Sequence, residues 1–138
     1  MLRALTTYLA TKANEVAGTT VVVGSNLLAG HRDTDAPDAC SVLLERVGMP
    51  VSPVDAAQQE RRVQILTRGT SYFSAKTEAD RLFDALVALA NVGIELTRGT
   101  QSWWVYYCEG ISPASIGQDD KGRFEFSANL TIRTKREI

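Results

Sequence analysis

The sequence predicts an α+β domain: a mainly antiparallel sheet of about four strands with two helices packed on one face. Three observations carry this. The segment RFEFSANLTIRT alternates apolar and polar side chains throughout, which is the period of a strand with one covered face. Residues 74 to 92 place Ala75, Ala79, Leu82, Phe83, Leu86, Leu89 and Ala90 on one helical stripe, with Lys76, Glu78, Asp80, Arg81 and Asp84 on the other side. Helices and strands do not follow the βαβ order that builds parallel sheets, so antiparallel pairing is favoured.

The elements follow in order. Leu2, Leu5, Leu9, Ala13 and Val16 recur at steps of three and four, an amphipathic helix ending near Gly18. Val21 to Val23 form a short β-branched run, and SNLLAGHRDTDAPD, rich in turn formers, reads as a loop with at most one short strand. CSVLLERV, residues 40 to 47, is apolar on both parities, a strand covered on both faces or lying centrally. Gly48, Pro50 and Pro53 stop it, and residues 48 to 60 read as an arm longer than a compact domain requires. From Arg61 to Thr70, Val63, Ile65 and Thr67 alternate with Gln64, Leu66 and Arg68 as a second strand.

The helix at 74 to 92 has Ser74 or Thr77 to cap it and Gly93 to end it. SWWVYYCEG, beginning at Ser102, carries aromatic and β-branched residues on both parities, an interior strand or one buried at an interface. Asp119, Asp120, Lys121 and Gly122 supply turn chemistry before the last strand. At about 3.3 Å per residue that strand spans roughly 40 Å from Arg123 to Lys135, so it should outrun the sheet or bend. Its apolar side, with Phe124, Phe126, Leu130 and Ile132, is the expected partner of Leu82, Phe83, Leu86 and Leu89.

The chain has 138 residues, read as a single domain over 1–138, with 44% hydrophobic and 22% charged residues, the composition of a folded globular protein. Fifteen Lys and Arg against sixteen Asp and Glu leave a net charge of −1, without the basic excess of a dedicated nucleic-acid binder. No apolar run is long enough to span a membrane, and the N-terminal segment is too interrupted by polar residues for a secretion signal, so a cytosolic product is expected. In that compartment Cys40 and Cys108 are expected as buried thiols rather than a disulfide.

No catalytic constellation assembles. His31 is the only histidine, sits in a loop without a nucleophile-elbow sequence, and with Cys40 and Cys108 fails the ligand spacing of a zinc site. GSNLLAGH has the wrong glycine spacing for a phosphate loop and His31 where lysine is required. Asp33, Asp35 and Asp38 lack the central glycine and distal glutamate of a calcium loop. Asn129-Leu130-Thr131 fits a glycosylation acceptor but has no secretion signal to go with it. Trp103 and Trp104 fit core or subunit interface better than base stacking, and the terminal RTKRE reads as a solvated chain end. No cofactor and no metal are expected.

The segments GSNLLAG, APDACSVLLERVGMP, VQILTRGTS, RLFDAL and GISPASIGQDDKGRFEFSANLTIRTK, taken together from about residue 20 to residue 135, resemble the small tail terminator, or minor capsid, proteins of long-tailed bacteriophages. The most specific part runs from Ser112-Pro113 through Ile116-Gly117 and the Asp119-Asp120 turn to Asn129. The resemblance implies a structural virion protein without enzymatic activity. Such proteins form a ring, usually of six subunits, on the head-proximal end of the tail tube, stop its growth and face the neck proteins of the filled head. The implied partners are further copies of the chain, the tail tube protein, a head-completion or stopper protein, and genomic DNA that passes without sequence-specific binding; no membrane is involved, and assembly takes place in the host cytoplasm.

A subunit of this kind needs heterologous contacts in a closed ring. The long arm and the final hairpin are the expected contact elements, with Met49, Val51, Val54, Gln58 and Gln59 on the first and Trp103, Asp119, Asp120, Lys121 and Arg133 on the second. Three other readings compete. A stopper protein of the neck would be largely β-barrel, which the helix at 74 to 92 argues against. A small α+β enzyme would require His31 to be indispensable. An RNA-binding module would need exposed aromatics on the open sheet face, where the last strand instead places Arg, Glu, Ser, Asn and Thr.

Overall fold

A computed structural model describes residues 1–16, 18, 20–46, 58–88, 94–98 and 101–137. In chain order the elements are α1 (Leu2–Asn14), β1 (Leu27–Ala29), β2 (Cys40–Arg46), β3 (Gln58–Gly69), α2 (Tyr72–Val87), β4 (Ile94–Arg98), β5 (Gln101–Gln118) and β6 (Phe124–Glu137). The α+β class holds, but the sheet has six strands rather than four, in the order β1-β2-β3-β6-β5-β4. It is mixed: β1 pairs parallel to β2, and every other pairing is antiparallel. The strand without a counterpart in the sequence reading is β4, whose IELTR is too short to show a period beside the glycines and polar residues that flank it.

Both helices deliver their apolar stripes to one core. Leu5, Leu9 and Ala13 of α1 meet Leu82 and Leu86 of α2 over Val63, Ile65, Val105, Leu130 and Ile132 of the sheet. Phe126 belongs to a second cluster with Ala75, Ala79 and Phe124, so the expected packing of α2 on β6 divides in two. Phe83 packs at the rim of the main core, and Leu89 and Ala90 lie outside the described residues. The cap of α2 is Ser71 rather than Ser74 or Thr77: its hydroxyl accepts the Ser74 N–H at 3.2 Å and satisfies one of the unpaired donors of the first turn.

The first helix stops at Asn14, short of Gly18, because the Asn14 side chain leaves the helix pattern for the following segment. Its amide donates to the Val21 carbonyl at 2.9 Å and accepts from the Val21 N–H at 2.8 Å. Arg81 of α2 closes the same end, donating to the carbonyls of Ala13 at 2.6 Å and Val16 at 3.3 Å, where the helix dipole favours a cation.

The last strand does not outrun the sheet. Pairing of β3 with β6 begins at Gln58, three residues before the expected Arg61, so the end of the supposed arm is strand. On the other side β5 continues to Gln118, and β6 lies centrally with a partner along each edge. The bending is taken up by β5, whose register slips between Val105 and Tyr107, Ile111 and Ala114, and Ser115 and Gly117.

The face away from the helices is not wholly wet. At the Asp119 end of β6 it is covered by the loop of residues 31 to 39. Arg68, 6% exposed, projects into this loop and donates to the carbonyls of Ala36, Pro37 and Asp38 at 3.4, 2.7 and 3.1 Å. Arg32 pairs with Glu125 at 2.9 Å, and Arg123 with Asp38 at 3.0 Å. This cover explains why the first half of β2 is apolar on both parities: Leu43 faces the helical core, Cys40 and Val42 are buried on the other side, and Glu45 and Arg46 beyond the loop are exposed. Cys40 and Cys108 are free and buried.

Candidate functional site

Arg123 and Asp119 fix the hairpin tip. The Asp119 carboxylate accepts from the Arg123 N–H at 2.9 Å, the Lys121 N–H at 3.0 Å and the Arg123 guanidinium at 2.7 Å. Gly122, at φ +76°, supplies the left-handed residue that this tight turn needs. Asp119 is therefore a positioning residue of the turn, whereas Asp120 and Lys121 stand exposed and make no ion pair among the described residues.

The opposite end of the sheet gathers Gln59 and Arg133. Gln59 pairs across from Thr134 and Glu60 across from Arg133, whose guanidinium lies 3.8 Å from the Glu60 carboxylate. Gln58 opens β3 opposite Lys135. The expected contact residues thus fall into two groups at opposite ends of β6, roughly 30 Å apart at strand spacing. Met49, Val51 and Val54 lie outside the described residues. Trp103 does not join either group: it is 5% exposed and belongs to the main core, because its parity on β5 points it at the helices.

Between the two groups, strand register builds a feature that no single segment announces. Arg46 of β2 is level with Arg62 of β3, Arg62 with Thr131 of β6, and Thr131 with Glu109 of β5. These four residues form one row across the uncovered face. With Ile111 and Asn129 they line a trough of about 790 Å³. Its walls have opposite charge, and Arg46 and Glu109, three strand spacings or about 14 Å apart, are too far from each other to pair. Neither makes an ion pair among the described residues, and Ile111 beside Glu109 is 74% exposed. The row was invisible in sequence because it needs the register of four strands; the exposed acid in an otherwise aromatic strand was the available signal.

His31 is exposed, with its ring nitrogen 2.6 Å from Asp33. Burial, with a smaller push from Glu109, raises the Cys108 thiol to about 12, far from the range in which a cysteine attacks. Among the described residues no group of three potential metal ligands occurs, and no helix is long and apolar enough to cross a membrane.

Opposed charges on an exposed sheet face and a charged hairpin tip ordered by Asp119 are the contact surfaces that the described residues present. The family model for the bacteriophage tail terminator protein matches residues 24–136, and the chain belongs to this family of structural proteins of the virion tail. Among curated proteins no match is found.

Proposed function

We propose that copies of this chain close into a ring of six on the head-proximal end of the phage tail tube, where the ring stops tube polymerisation and joins the tail to the head. Family membership over residues 24–136 is the observation that carries this reading. The two ends of β6 suit it, since a ring that connects tube and neck must present distinct surfaces to each and to its own neighbours. Gln59 and Arg133, together with Met49, Val51 and Val54, serve one set of contacts; Asp120 and Lys121, held by Asp119, serve another. The partners are the tail tube protein and a head-completion or stopper protein of the neck. Genomic DNA passes through the ring without sequence-specific binding, no enzymatic step is involved, and assembly takes place in the host cytoplasm.

Removing the gene from a phage tests this directly. Electron microscopy of the lysate should show filled heads and unjoined tails of uncontrolled length. Tails of normal length, joined normally to heads, would overturn the proposal.

A further inference from the structure

The trough on the uncovered sheet face has a matching shape on the same chain. We infer that the hairpin tip of one copy, Asp120 and Lys121, seats in the trough of the next, with Asp120 toward Arg46 and Lys121 toward Glu109. The inference rests on the ring reading and names the surface that would close it.

Charge complementarity selects the occupant. The trough carries the cations Arg46 and Arg62 on its β2–β3 side, where the carboxylate of Glu45 is already paired with Arg61 at 3.4 Å, and an anion, Glu109, on its β5 side, with Thr131 of β6 between them. An insert that satisfies both walls must be narrow and must carry an acid and a base side by side. The tip does so: Asp120 and Lys121 are adjacent, exposed and free of ion pairs among the described residues. They are also pre-positioned, because Asp119 accepts the Lys121 N–H and clamps Arg123, so little side-chain and loop freedom is lost on docking.

Size and direction agree. Arg46 and Glu109 stand about 14 Å apart, wide enough for two paired strands at 4.8 Å spacing with their side chains. The floor residues Asn129 and Thr131 are polar and can hydrogen-bond the turn, and the exposed Ile111 offers apolar cover at the rim. Tip and trough are different patches, so the contact is heterologous and propagates from copy to copy until it closes. It cannot form within one chain, since the stretch of β5 from Glu109 to Gln118 holds them roughly 25 Å apart.

Engineered cysteines test this, because both native cysteines are buried. A disulfide needs Cα atoms about 4.4–6.8 Å apart, so a Glu109→Cys/Lys121→Cys chain can close one only between copies. Mild oxidation should give a ladder of covalent oligomers on non-reducing gels, whereas Lys76→Cys/Lys121→Cys should stay a single chain. In parallel, Asp120→Lys/Lys121→Asp should weaken self-association at least about tenfold by mass measurement in solution, and adding Arg46→Glu/Glu109→Arg should restore it. If wild-type rings form but neither the ladder nor the swap effect appears, or if the control pair links equally well, this docking is overturned and the ring reading stands. If the wild type stays monomeric both in solution and on tail tubes, the ring reading fails and the docking fails with it.

Discussion

At the Asp119 carboxyl two effects oppose each other. Partial burial raises its pKa, but hydrogen bonds from the Arg123 N–H, the Arg123 guanidinium and the Lys121 N–H, with the Arg123 charge, hold it below the ordinary carboxylate value. Arg123 is pushed the other way, raised first by its hydrogen bond to Asp119. A carboxyl whose folded pKa is depressed contributes stability above its unfolded value, near 3.9, and loses that contribution as the pH falls through the folded pKa. The hairpin tip should therefore loosen in acid. Hydrogen exchange of the amides of Lys121 and Arg123, compared between wild type and Asp119→Asn, should show wild-type protection exceeding the variant's at neutral pH and converging with it below about pH 4. Equal protection at neutral pH would show that the carboxylate charge does not hold the turn. The sequence marked Asp119 as a turn former and a contact residue; its three acceptor bonds give it the first role, and its neighbours Asp120 and Lys121 are the ones left facing outward.

Crossing of α2 over β5 depends on one glycine. A Cβ at Gly110 would lie 2.8 Å from the Asn129 carbonyl oxygen, 3.0 Å from Leu130 Cγ and 3.0 Å from Phe83 Cε2, so the bare backbone is what lets the helix settle on the hairpin. Gly110→Ala should lower stability by about 1–3 kcal/mol, the range for overpacking a filled core, and shift the urea midpoint accordingly. An unchanged midpoint would mean that the β6 backbone at Asn129 and the side chains of Leu130 and Phe83 give way at no cost. Phe83 was legible as a core residue from its place on the stripe of α2, but the glycine that receives it was not, because close approach is a property of two elements. The same distinction explains the rest. The strands with full alternation, β3 and β6, and the double-sided β2 were readable from local pattern, as was α2 from its helical stripe. Missing were β4, which has too few residues to show a period, the early start of β3 at Gln58, and the burial of Arg68, whose carbonyl partners come from a loop thirty residues earlier. Of the site, the hairpin tip was legible from turn chemistry, Trp103 was misplaced because aromatic strands suit core and interface alike, and the charged row waited on register.

Across the whole molecule, charge is balanced and locally compensated. Fifteen basic residues face sixteen acidic ones, and Lys12, Arg32, Arg61, Lys76, Arg81, Arg123 and Arg133 each lie within 4.0 Å of a carboxylate. Paired cations gain little by moving to a phosphate, since the carboxylate they leave must be resolvated and the DNA counterions they displace are few. Arg46 and Arg62 share their face with Glu109, and the docking inferred above covers that face with a neighbour's hairpin tip, which leaves compensated pairs to meet a polyanion. On the ring reading this is the condition for a wall past which DNA moves freely: attraction strong enough to release counterions would hold the genome at each phosphate. Titration of the purified protein into fluorescent duplex should accordingly show binding weaker than about 10⁻⁴ M at physiological salt, with only a shallow dependence of the logarithm of affinity on that of salt. Lowering the salt should strengthen it only modestly. Tight binding by the wild type with a steep salt slope would mean that the protein grips DNA, and free passage would have to be abandoned.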